Sequence, residues 1–191
     1  MPPPAGSPAN TRNLKPRKLL CRFRRDQRGS AAVEFAMIAT PFFALLFAII
    51  ETSIVFFAGQ VLETGLHDSA RLLFTHQAQD AGMTSSQFKT DLCDRVSVLM
   101  TCSGIDVDVK FYPAGTAITI TDPIDGSGNY SSGGFTYLTP PSGSNATVAA
   151  RAFYRWPLYV TGLGYNIVNV GRNTASSKRL LAATAAFHVE P

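Results

Sequence analysis

The sequence predicts an α+β protein: a long N-terminal transmembrane helix continuing as a spine, then a small head with a second helix and an antiparallel sheet. Three observations carry that class. An apolar run at residues 30–50 has the length of a bilayer crossing. Apolar residues at helical spacing continue beyond it to about residue 78, and from residue 105 the period changes to strict alternation.

The chain has 191 residues, 46% hydrophobic and only 16% charged, against about 25% charged in an ordinary soluble domain. The net charge of +4 suggests a nucleic-acid partner until its distribution is read. Residues 1–29 carry eight Lys or Arg and one acidic group, Asp26, whereas residues 30–191 carry nine basic and twelve acidic groups. The basicity belongs to a tail and the rest is mildly acidic, which excludes a basic nucleic-acid-binding domain.

That tail contains Pro2, Pro3, Pro4, Pro8 and Pro16 and has no apolar period, so it is expected to be disordered. The following run, SAAVEFAMIATPFFALLFAII, would span roughly 31 Å as a helix, matching a hydrocarbon core of ~30 Å. A core helix of this composition would need a larger domain around it. Basic residues flanking a span stay on the cytoplasmic side, so everything after about residue 51 is expected outside the cytoplasm. The run is too long for a secretory signal and is expected to be retained.

Pro41 predicts a kink within the span. Beyond it, Val61, Leu62, Leu66, Ala70 and Leu73 hold a helical stripe opposite Glu63, His67, Asp68 and Arg71, with Gly59 and Gly65 as weak points. Thr84-Ser85-Ser86-Gln87 reads as a capping box opening a helix to about Met100. Residues 105–111 alternate as a strand, Ile118 and Ile120 suggest another, and residues 148–156 and 180–189 suggest two more. Residues 122–147, rich in Gly, Ser, Pro and Asn, predict a long exposed loop. Glycines leave 157–178 without a regular pattern. The divisions are then a basic tail at 1–29, a transmembrane helix at 30–53, its extracytoplasmic extension at 54–80 and an α+β head at 81–191.

Glu34 does not belong in an apolar run, since a carboxylate at that depth is expensive. One reading is a first-turn Glu that favours the helix dipole and snorkels to the headgroups. Its surroundings offer another. Gly29, bare of side chain, precedes the small residues Ser30-Ala31-Ala32, and Phe35 follows Glu34. Cleavage after Gly29 would make Ser30 a new N-terminus and Glu34 the fifth residue. The new α-amine of one helix and the Glu of a neighbour, offset by about one turn, would neutralise each other in low dielectric.

These residues resemble a type IV prepilin peptidase site. More closely, residues 29–43 (GSAAVEFAMIATPFF) resemble the TadE-like pilins of the tight-adherence (Tad, or Flp) pilus, as do residues 179–191 (RLLAATAAFHVEP) and the cysteines Cys93 and Cys102. The resemblance implies a minor pilin or pseudopilin contributing to pilus assembly and surface adhesion. It would be cut between Gly29 and Ser30 by a prepilin peptidase and assembled through Glu34 and Phe35. Its partners would be the bacterial inner membrane, other pilins and Tad assembly proteins. The alternative is an uncleaved, membrane-tethered binding or adhesion domain.

The expected topology places Cys21 in a reducing compartment and Cys93 and Cys102 in an oxidising one. The latter spacing allows a bridge, with a chain-entropy contribution of ~2.7 kcal/mol; two free buried thiols are the other reading. His67, His76 and His188 are scattered, and no cofactor, metal or nucleophile motif is present, so no enzyme is expected. Asp106 and Asp108 share a strand face on which a cation could bind, but solvated carboxylates are far commoner. Phe153, Tyr154 and Trp156 suggest either a carbohydrate-stacking patch or sheet core and edge.

Overall fold

A computed structural model describes residues 29–141, 143–160, 166–172 and 177–189. Apart from Gly29, the expected tail at 1–29, with Cys21, lies outside the described residues. So do Gly162 and Gly164 of the irregular segment, and residues 190–191. The chain divides into two units, residues 1–45 and 46–191.

Helix α1 (Ser30–Phe74) opens in the first unit and continues into the second. In the first unit its apolar side chains, Val33, Phe35, Met37, Ile38, Phe42 and Phe43 among them, are exposed. Among them the Thr40 hydroxyl is internally satisfied: its Oγ1 donates to the Ala36 carbonyl at 2.8 Å. Pro41 lies inside α1 without ending it. Helix α1 is long and apolar enough to cross a membrane and fits a single-pass anchor.

In the second unit α1 gains a buried stripe: Val55, Ala58, Leu62, Leu66, Ala70 and Leu73. It stops at Phe74, short of the expected 78, because His76 adopts a left-handed backbone with φ 61°. The short helix α2 (Gln77–Asp80) restarts the chain. Helix α3 (Ser85–Val96) opens on the expected capping box: the Gln87 amide donates to Thr84 Oγ1, and the Thr84 amide donates to Gln87 Oε1. It ends before Met100, in turns over residues 97–99. Cys93, on its last turn, is bonded to Cys102 in a 3-10 turn (Cys102–Gly104), with Cα atoms 5.4 Å apart.

Strands β1 (Ile105–Pro113), β2 (Ala146–Pro157) and β3 (Lys178–Val189) form an antiparallel sheet in that order. Val109 faces Ala150 and Ala150 faces Ala185, so one face carries Ile105, Val109, Val148, Ala150, Ala152, Ala183 and Ala185. These cluster with the α1 stripe and with Phe88, Leu92 and Val96 of α3. Alanines at the centre of the sheet leave the volume of this core to the leucines of the helices.

Ile118 and Ile120 do not form a strand; they are about half exposed. A strand needs a free edge, and the outer edge of β1 is taken by residues 136–138. The Val109 amide donates to the Thr136 carbonyl at 2.7 Å, and the Leu138 amide to the Val109 carbonyl at 2.8 Å. Nor is 122–147 wholly an exposed loop. Phe135 stacks on Phe153 at 4.9 Å, Tyr137 packs near Phe88 at 5.7 Å, and Tyr130 is half-buried.

Candidate functional site

At the start of α1 the Ser30 hydroxyl donates to Glu34 Oε1 at 2.9 Å, one helical turn on. Both residues are exposed, and Phe35 beside them is 70% exposed. A Cβ built on Gly29 would meet nothing within 4 Å, so packing within the chain does not demand glycine there. The expected cleavage and assembly residues thus share one exposed helix start. Glu34 is the only charged side chain from Ser30 to Ile50, a stretch whose other side chains, Ser30 and Thr40 apart, are apolar.

The second feature is a carboxylate that the sequence reading passed over. Glu51, on α1 in the second unit, is buried. It accepts hydrogen bonds from the backbone amides of Tyr159 and, at 3.1 and 3.2 Å, Val160. At the end of an apolar run it reads as a boundary marker. Only its position before a second apolar patch, Ile54-Val55-Phe56-Phe57, could have flagged it.

The second sheet face corrects the expectation of solvated carboxylates at Asp106 and Asp108. Asp108 is buried: its Oδ2 takes Arg151 Nη2 at 2.6 Å and Nε at 3.2 Å, and its Oδ1 takes the Thr136 amide at 2.9 Å. Arg151 Nη1 donates to the Thr121 carbonyl at 2.8 Å, and its guanidinium lies 5.2 Å from the Phe153 ring. Asp106 accepts the Tyr130 hydroxyl at 2.8 Å. Burial first, then that bond, pushes the Tyr130 phenol well above its ordinary value. Both carboxylates are engaged by the segment folded over them, and among the described residues no group of three His, Cys, Asp or Glu could hold a metal. Phe153, Tyr154 and Trp156 do not form one patch. Phe153 is buried on this face, while Tyr154 and Trp156 pair at 6.0 Å and pack against the helical core.

A third cluster ties α3 to α1. Asp91 accepts Ser69 Oγ at 2.7 Å and Arg95 through Nε at 3.1 Å and Nη2 at 3.2 Å, and Arg95 also reaches Asp68 at 3.8 Å. Burial pushes the Asp91 carboxyl up. Hydrogen bonds from Arg95 and Ser69 and the Arg95 charge outweigh it, leaving it below its ordinary value.

Residues 29–71 match the family model described as TadE-like protein. The match begins at Gly29 and runs to within three residues of the end of α1, so it covers the exposed helix start, Glu34 and Glu51. No curated protein and no solved structure matches the chain.

Proposed function

We propose that this chain, TadE-like from Gly29 to Arg71, is a structural minor pilin or pseudopilin of a Tad-type pilus that contributes to its assembly and to surface adhesion. The observation that carries the reading is the helix start: a lone carboxylate, Glu34, one turn from Ser30 on an exposed apolar helix. In the uncut chain the Ser30 nitrogen is an uncharged amide, and Glu34 accepts the Ser30 hydroxyl. Cleavage between Gly29 and Ser30 by a prepilin peptidase converts that nitrogen into a cation. A neighbouring subunit's Glu34 then neutralises it when the helices pack with an offset of about one turn, while Phe35 and the apolar face supply the contact. Processing and assembly are coupled because the charge is absent before the cut. The basic leader stays in the cytoplasm, the helix is held in the inner membrane, and the head lies outside.

The test is Glu34→Ala. Removing one carboxylate from a lipid-facing helix leaves insertion at least as favourable. Expression, membrane level and cleavage are expected to match wild type. Incorporation into pili should fall about tenfold or more, as truncating one member of a desolvated pair costs a few kcal/mol. Wild-type co-purification with pili and wild-type attachment in the variant would overturn the reading. An uncut chain, by intact mass, would point instead to a tethered extracytoplasmic binding domain.

A further inference from the structure

Glu51 fixes the level of one head segment on the helix. Its carboxylate holds the amides of Tyr159 and Val160, so the chain leaving β2 is tied to α1 at residue 51. Exposed apolar residues flank that level on both sides: Leu46, Phe47, Ile49 and Ile50 before it, and Ile54, Phe56 and Phe57 after it. From Leu46 to Phe57 is about 16 Å along the axis. Phe56 and Phe57 are 70% and 61% exposed, which water does not favour.

The tied segment suits the same surroundings. Pro157 has no backbone N–H, and those of Tyr159 and Val160 are satisfied by Glu51, so three of four consecutive residues present no bare donor. The run Pro157-Leu158-Tyr159-Val160 carries no charge, and Tyr159 is 84% exposed. An outward aromatic ring with a polar tip, beside a spanning helix, is the side chain found at membrane–water interfaces.

We propose that residues 158–160, clasped by Glu51, seat the head in the interfacial layer of the bilayer that α1 crosses, with Tyr159 as the lipid-facing anchor. Lipid fits better than a protein partner because this uncharged run leaves at most one of its four residues with a backbone donor for a polypeptide partner to pair. The proposal needs only the membrane-anchoring helix and not pilus assembly, so a failed Glu34→Ala test leaves it standing.

The experiment uses the full chain in vesicles of phosphatidylethanolamine and phosphatidylglycerol. In a Cys21→Ser background, Tyr159→Cys carries a nitroxide whose relaxation by oxygen is compared with that by a water-soluble nickel complex. Val98→Cys, at a position 89% exposed beyond the end of α3, is the aqueous control. The oxygen-to-nickel ratio is expected to be several-fold higher at 159 than at 98, and unchanged on dilution to one chain per vesicle. Equal ratios at the two sites would overturn the proposal, and so would a ratio that falls to the aqueous value on dilution, because a second copy would then be the cover. Should the new cysteine mispair with Cys93 or Cys102, Tyr159→Trp in lipids brominated near the headgroup replaces it. Quenching beyond that of Trp156 alone supports the seat, and none overturns it.

Discussion

Glu34, Glu51 and Asp108 are one chemical group in three settings, and the settings decide their roles. Glu34 is exposed, with a hydroxyl one turn away, so its charge remains available to a neighbour. Glu51 is spent on two backbone amides and Asp108 on a buried guanidinium. Glu34 was legible in the sequence because its anomaly is local, a charge among carbons on the same helix. The other two were not, since their partners lie 108 and 43 positions away and no local pattern reports such pairing. Asp91 is more modest and testable by pH. Its carboxyl is held below the ordinary 3.8, so the folded state favours the charged form. That contribution is complete above pH ~4 and is lost as pH falls through the lowered value. Asp91→Asn should cost under ~1 kcal/mol at neutral pH, since the pair is partly solvated. It should also flatten the loss of stability below pH ~4, read by thermal melts across that range. An acid slope identical to wild type would exclude Asp91 as a contributor.

The crossing of α1 and α3 explains a glycine that looks like a defect in the sequence. A Cβ on Gly65 would lie 2.6 Å from Val96 Cγ1 and 3.4 Å from Leu92 Cδ1, so α3 packs where that side chain would be. At Gly59, by contrast, a Cβ meets nothing within 4 Å. The two should respond in opposite directions. Gly59→Ala gains helix propensity of ~1 kcal/mol. Gly65→Ala makes the same gain against an overpacking cost of about 1–3 kcal/mol, so it should melt lower, and its penalty should shrink when measured in a Val96→Ala background. A higher melting point for Gly65→Ala alone would show that α3 moves away freely. The capping box, the helical stripe and β1, β2 and β3 were all readable because each rests on spacing within one element. Ile118 and Ile120 alternate as well as any strand, yet the β1 edge they would need is held by residues 136–138, a choice between two distant segments that alternation does not encode.

For the whole chain, the cysteines offer a test of the proposed topology. A helix that fits a single-pass anchor separates Cys21, on its N-terminal side, from Cys93 and Cys102 on the other. The bonded pair closes a short loop between α3 and β1, worth ~2.7 kcal/mol by chain entropy, and it persists only where the compartment is oxidising. If the basic leader lies in the cytoplasm, as proposed, the two sides of the membrane should differ in thiol chemistry. Alkylation of the membrane-extracted precursor under denaturing, non-reducing conditions should modify one thiol, Cys21. A chain cut after Gly29, as proposed, should show none until reductant exposes two. Intact mass reads both counts in one experiment. Rapid modification of Cys93 and Cys102 without reductant would place the head in a reducing compartment. That result would reverse the orientation and, with it, the side of the membrane on which any pilus contact could form.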